Sequence, residues 1–266
     1  MKANSFRKSI LITGAGTGIG RDTAKALVER GHKVYATTHH DAEVASLRDA
    51  LGGDAEVFRL EITDPQDRAK IAELDIDVLI NNAGQGESGS LAEIDIDRVR
   101  RLFEVNLFSS LELTQIAIGT MIERGGGTII FISSAVGRIP FPFLMPYGMT
   151  KFALSAAASG LRSEMRTLGK GIHVSVIEPG AFHTGFNQRL WSSRFEWMDN
   201  SSIFSASQIE TMKSDSTRTL RWIEAKSTVS IVNKIVSASE AKTPRLRYVA
   251  PWYMAIVVRL LRILGA

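Results

Sequence analysis

Six short apolar runs, at Ser9–Thr13, Lys33–Thr38, Ala55–Leu60, Asp77–Ile80, Gly127–Ile132 and Ile172–Ile177, set the rhythm of this chain. They are unbroken runs rather than apolar-polar alternations, which predicts strands buried on both faces. Between them, Arg21–Arg30 has helical composition, and from Asp95 to Arg124 the residues Ile96, Val99, Leu102, Phe103, Leu107, Leu111 and Ile118 keep helical spacing. A shorter helix is predicted from Pro65 to about Glu73, and a last strand at Arg245–Ala250. Strands alternating with helices predict an α/β class: a doubly wound parallel sheet with helices on both faces, in one domain over residues 1–266. From Phe186 to Thr228 the pattern turns irregular, with Trp191, Phe195, Trp197, Met198, Phe204 and Trp222 among polar residues.

Composition narrows this little. With 266 residues the chain can bury a sizeable core, and with no cysteine it has neither disulfides nor a thiol nucleophile. The net charge of +4 is spread among acidic residues, a mixed solvated surface rather than a nucleic-acid footprint. Met1 to Lys8 is polar and basic, and the apolar run after it is too short for a signal peptide, so a cytoplasmic location is expected. The tail Trp252–Leu264 is apolar apart from Arg259 and Arg262 and too short to span a bilayer. Packing against the domain or a second subunit, in a homo-oligomer, is expected ahead of shallow attachment to a membrane surface.

The chemistry gathers where strands end. The first runs straight into Gly14-Ala-Gly16-Thr17-Gly18-Ile19-Gly20 and then into a helix, the order of a dinucleotide site. Glycines there let backbone N–H groups approach a pyrophosphate at a helix N-terminus. Arg21-Asp22 stands where a nucleoside-triphosphate loop needs Lys followed by Ser or Thr. The second strand ends in Thr37, Thr38, His39 and His40, without the carboxylate that holds the ribose of NAD. Its absence removes repulsion from a 2′-phosphate, so NADP(H) is expected, with NAD as the alternative. His39 and His40 are adjacent and in extended chain face opposite ways, so no shared metal is expected.

The fourth strand stops at Asn81-Asn82-Ala83-Gly84, polar groups at the end of a parallel strand and so toward a ligand crevice. Asn106 is a polar residue near the apolar face of its helix, suited to bonding a carbonyl or water. The fifth strand closes on Ser133-Ser134, and the apolar loop Ile139–Met145, with Phe141 and Phe143, suits a greasy substrate pocket. Pro146 then opens a helix in which Tyr147 and Lys151, four residues apart, share a face. A phenol titrates near ~10, and a nearby ammonium and the helix dipole both lower that value. Such a pair makes a proton donor near neutral pH.

The set Thr13-Gly14-x-x-x-Gly18-x-Gly20, Asn81-Asn82-Ala83-Gly84, Asn106, Ser134, Tyr147-x-x-x-Lys151 and Pro179-Gly180 with Thr184 resembles the short-chain dehydrogenase/reductase family over residues 8 to 185. Lys151-Phe-Ala-Leu154 and Glu178–Phe182 look like its hydroxysteroid and retinol dehydrogenase-like subgroup. The resemblance implies a Rossmann fold and hydride transfer between NADP(H) and a carbonyl or alcohol of a hydrophobic molecule. It makes Tyr147 the general acid or base and has Lys151 lower its pKa and hold the nicotinamide ribose. Ser134 then positions the substrate oxygen, and Asn106 supports a water-linked proton path. Gly14, Gly18 and Gly20 pass the pyrophosphate; Asn82, Ala83 and Gly84 approach the adenosine side, with Glu61 where the family has Asp, beside Ile62. Ile177, Pro179, Gly180 and Thr184 surround the nicotinamide, and the stretch 186–228 closes over the substrate. Two other classes fit parts of the pattern: a non-catalytic nucleotide-binding sensor or scaffold, and a nucleotide-sugar epimerase or dehydratase, against which the glycine spacing argues.

Overall fold

The computed structural model describes residues 7–53, 55–198 and 202–264. Parts of the basic start (1–6) and of the expected lid (199–201) therefore lie outside the described residues. Seven parallel strands form one sheet: β1 (Ser9–Ile12), β2 (Lys33–Thr38), β3 (Ala55–Arg59), β4 (Val78–Asn81), β5 (Gly127–Ile132), β6 (Ile172–Pro179) and β7 (Arg247–Ala250), in the order β3-β2-β1-β4-β5-β6-β7. All six expected runs and the last strand are present, within one to two residues at their ends.

Alternation along each strand feeds two separate cores. Ile10, Ile12, Val34, Ile80 and Ile130 face the helices α1 (Gly18–Glu29) and α2 (Asp41–Leu51), and α9 (Val229–Glu240). Leu11, Tyr35, Leu79, Ile129 and Phe131 face α5 (Ser109–Arg124) and α6 (Met145–Leu168). Neighbouring residues of one strand therefore point to opposite layers, and both layers are buried and apolar. That is why the strands read as unbroken apolar runs.

The remaining helices correct the sequence pattern in three places. The helix expected from Pro65 to Glu73 is a short α3 (Pro65–Ala69) continued by a 3₁₀ turn over Lys70–Glu73. The long helix after Asp95 is α4 (Ile96–Phe103), a π turn over Glu104–Phe108 and α5. The stretch read as irregular holds α7 (Phe186–Ser192) and α8 (Ala206–Ile223), the latter opened by a capping box in which Ser205 and Gln208 bond each other's backbone N–H. The apolar tail is α10 (Trp252–Ile263).

Candidate active site

The crevice lies where the winding reverses, outside the carboxyl ends of β1 and β4. Thr13 closes β1, and its hydroxyl accepts the backbone N–H groups of Asn82 and Ala83, both at 3.0 Å. The Asn82 amide donates to the carbonyls of Thr13 at 2.8 Å and Gly14 at 2.9 Å. Asn82, expected at the adenosine side, thus spends its amide N–H groups clamping the glycine loop to the end of β4.

The loop passes that clamp only as glycine. Gly14 has φ of +64°, and a Cβ there would sit 2.8 Å from Ala83 Cα. A Cβ on Gly20 would sit 2.4 Å from the Gly14 carbonyl oxygen. Thr184 lies across the entry to α1, against Gly18. Thr17 at the N-cap makes no side-chain cap, and the first turn of α1 carries no acid, so its N–H groups and positive end face an anion without competition. This bare backbone fits the pyrophosphate of a dinucleotide.

Around the adenosine end the fold departs from expectation. Glu61 turns onto its own loop, where its carboxylate accepts the Thr63 hydroxyl at 2.8 Å and backbone N–H at 3.1 Å. The Ile62 side chain is buried in the core. His39 and His40 do not face opposite ways: their rings stand 3.6 Å apart, centre to centre, on the surface. Most consequential is Glu43, from the first turn of α2, which accepts the Thr38 hydroxyl. Its carboxylate oxygen lies 2.5 Å from where a Cβ on Gly16 would be. A carboxylate therefore does stand beside the end of β2, contributed by the next helix.

Four sequence candidates come together beneath the crevice. Asn106, in the π turn, accepts the Gln85 N–H at 2.8 Å and donates to the Gln85 carbonyl at 2.9 Å and to Thr150 at 3.0 Å. Thr150 donates in turn to the Tyr147 carbonyl at 2.7 Å, so Asn106 fixes the opening of α6 to the loop after β4. Gly84 crosses this pair so closely that a Cβ would stand 3.1 Å from the Asn106 oxygen and 3.6 Å from Lys151 Nζ. Thr150 carries no signal in a motif, and only its burial between two helices reveals it. Of the adjacent serines, Ser133 is structural, bonding the Lys151 carbonyl at 3.1 Å and Ser155 at 2.8 Å. Ser134 is half-exposed and bonds the Tyr147 phenol.

Tyr147 is 6% exposed and Lys151 4%. The ammonium lies 5.5 Å from the phenol ring centre and donates to the Ile132 carbonyl at 2.9 Å. Burial disfavours both charges. It holds the Tyr147 phenol well above its ordinary value, against the opposing hydrogen bond from Ser134, and brings Lys151 down to about 8. The expected depression of the Tyr147 pKa is thus outweighed by desolvation in the chain itself. Tyr147 therefore keeps its proton.

The family model for short chain dehydrogenases matches residues 8–194. The chain belongs to the short-chain dehydrogenase/reductase family. It is 30% identical over 96% of its length to the uncharacterised oxidoreductase YbbO of Escherichia coli, covering 91% of that protein. Against human 17-beta-hydroxysteroid dehydrogenase type 1 it is 29% identical over 91% of its length and 77% of that protein's. The mouse dehydrogenase/reductase SDR family member 7B is 33% identical over 67% of this chain, which spans 58% of that protein. A solved short-chain dehydrogenase from Streptomyces avermitilis superposes with a TM-score of 0.79 at 28% identity, over 97% of this chain and 94% of its own. A family member from Burkholderia phymatum, in complex with NAD, shares the fold with a TM-score of 0.80 at 21% identity, over 97% and 93%. The chain is accordingly an NAD(P)-dependent oxidoreductase of this family.

The wall around Tyr147 differs from the one expected. Tyr147 packs in a buried cluster with Leu102, Leu144 and Leu190, flanked by Val136, Phe186 and Trp191, and its ring lies 5.6 Å from that of Phe186. Phe186, Leu190 and Trp191 belong to α7, which lies over the phenol. Phe143 instead packs on the stretch after β6, its ring 5.5 Å from Phe204 and 5.6 Å from the Arg194 guanidinium, with a backbone φ of +63°. Phe141 is exposed. The stretch after β6 is tied to the loop after β4 through the Ser88 N–H donating to Ser193 at 3.0 Å and Ser202 donating to Glu93 at 2.8 Å.

Proposed function

We propose that this enzyme interconverts a carbonyl and an alcohol on a hydrophobic small molecule, with Tyr147 exchanging the proton. The observation that carries this reading is a buried Tyr147 joined to Ser134 and backed by Lys151, walled by apolar side chains. A nicotinamide cofactor held along Gly14–Gly20 and beside Pro179, Gly180 and Thr184 supplies or removes the hydride. Ser134 and Tyr147 hold the carbonyl oxygen, and Tyr147 releases its proton to the oxygen as negative charge develops there. Lys151 stabilises the phenolate left behind. Asn106 and Thr150 keep the opening turn of α6 where this requires it.

With α7 packed on the phenol, a bulky substrate enters only as that helix moves, which makes lid motion part of turnover. The apolar lining and the hydroxysteroid dehydrogenase among the relatives both support a greasy substrate. A panel of ketones and aldehydes graded by size and polarity, followed by cofactor oxidation, is expected to show kcat/KM rising with apolar surface. Equal turnover of small polar ketones would contradict the substrate class. Tight cofactor binding with no turnover across the panel would return the sensor or scaffold reading.

On cofactor choice, Thr38 and His39 alone favour NADP(H), but the Glu43 carboxylate beside them favours NAD(H). A carboxylate there accepts the ribose hydroxyl of NAD and repels a 2′-phosphate. Fluorescence titration is expected to give NADH binding about tenfold tighter than NADPH, a difference of ~1.4 kcal/mol. Glu43→Gln should close that gap. Tighter binding of NADPH to the unaltered chain would overturn the assignment.

A further inference from the structure

The tail expected to pack into the domain buries only a narrow strip of α10. Val258 is buried against Ala135 and Ile139, with Met254 and Leu261 partly so. At 3.6 residues per turn, Trp252, Tyr253, Ile256, Val257, Leu260, Ile263 and Leu264 fall within an arc of about 140° that faces away from that strip. Every one of them is exposed, from 39% at Val257 to 80% at Leu264, and the arc carries no charge. A soluble surface does not leave so many large apolar side chains on one helix face without a partner.

A second observation bears on what the partner is. Along one edge of the arc, Arg259 and Arg262 line a surface pocket together with Arg138, Arg247 and Glu178. Glu178 is already engaged: Arg138 donates to both its oxygens at 3.1 Å, and Arg247 also pairs with it. Among the described residues, Arg259 and Arg262 have no carboxylate within ion-pair distance. An uncharged apolar face bordered by guanidinium groups, with Trp252 and Tyr253 at one end, matches a bilayer surface: acyl chains for the arc, anionic headgroups for the arginines. A second copy of the same helix would instead bring the same arginine-rich edge and supply no compensating acid.

We propose that α10 docks this enzyme on the surface of an anionic phospholipid bilayer, with Arg259 and Arg262 at the headgroups and the Trp252–Leu264 arc in the interface. The site is separate from the nucleotide crevice, though the strand of contacts beneath it leads there. Ile139 packs under α10 and continues into the exposed Pro140-Phe141-Pro142 of the loop before the catalytic helix. An apolar substrate dissolved in the bilayer would meet the enzyme at this loop.

Co-sedimentation of the full chain with vesicles tests the proposal. Binding is expected with vesicles of phosphatidylcholine containing about a third phosphatidylglycerol, far less with phosphatidylcholine alone, and a decline as salt is raised. Replacing both Arg259 and Arg262 by Ala should weaken it on the order of twentyfold, from about fivefold for each arginine. Leu260→Glu should abolish it. NADH titration of the same variants checks that they remain folded, since the crevice uses none of these residues. Absence of vesicle binding, or equal binding to neutral vesicles, would overturn the proposal. So would a dimer in sedimentation velocity that Leu260→Glu dissociates while lipid has no effect, which would make the occupant a second copy.

Discussion

Tyr147→Phe is expected to lower turnover by about a thousandfold while leaving nucleotide affinity and stability nearly unchanged. The ring keeps its place against Phe186 and among Leu102, Leu144 and Leu190, so packing loses nothing. What goes is one hydroxyl and its hydrogen bond with Ser134. General acid catalysis contributes typically 10²–10⁴-fold, and no other titratable side chain of the catalytic set can deliver the proton in its place. Lys151 donates to the Ile132 carbonyl, and Ser134 holds its proton far more tightly than a phenol does. Steady-state rates beside nucleotide titrations separate the two effects. A drop in affinity equal to the drop in rate would assign Tyr147 to binding.

Lys151→Met should cost about ten- to a thousandfold in turnover, the effect of removing an opposite charge worth 1–3 pKa units to the phenolate. Its signature is in the pH dependence. Burial leaves the folded-state pKa at about 8, below the 10.5 of an exposed lysine. Below about 8 the ammonium is intact; above it the charge that supports the phenolate is lost. In the unaltered enzyme kcat/KM for reduction should therefore fall as pH rises through about 8, and Lys151→Met should lack that limb. The stability sign is the reverse of a favourable ion pair. Between about 8 and 10.5 the unfolded chain binds the extra proton, so this group makes folding more favourable as pH rises across that window. Denaturant unfolding at pH 8 and 10, with and without the substitution, reads it out.

How far the sequence carried these conclusions depended on the range of the contacts involved. Strands at β1 to β6 were legible because burial on both faces leaves unbroken apolar runs, and the proximity of Tyr147 and Lys151 because the helical repeat fixes it. Glu43 was not legible. It reaches Thr38 from the first turn of α2, a helix with four charged residues among its eleven and only Leu47 and Leu51 buried. A motif read at the end of β2 stops before it. The helices within residues 186–228 were not legible for a similar reason: α8 buries only Ile209, Ser216 and Leu220, and its start is set by the polar capping box rather than by periodicity. The cover that Phe186, Leu190 and Trp191 place over Tyr147 joins residues some forty apart, and with it comes the desolvation that raises the phenol's pKa. Asn106 was visible as a polar residue on an apolar face, but its service to Gln85 and Thr150 follows from the π turn, which propensity does not announce.

The central claim is hydride transfer to a carbonyl carbon coupled to a proton from Tyr147. Single turnover with NADH carrying deuterium at the transferring nicotinamide position, with an apolar ketone as acceptor, tests it most directly. The account predicts one deuterium on the carbinol carbon of the alcohol product, formed by the unaltered enzyme and not by Tyr147→Phe over the same interval. Cofactor oxidation without deuterium in the product, or the same labelled alcohol formed as fast by Tyr147→Phe, would contradict it.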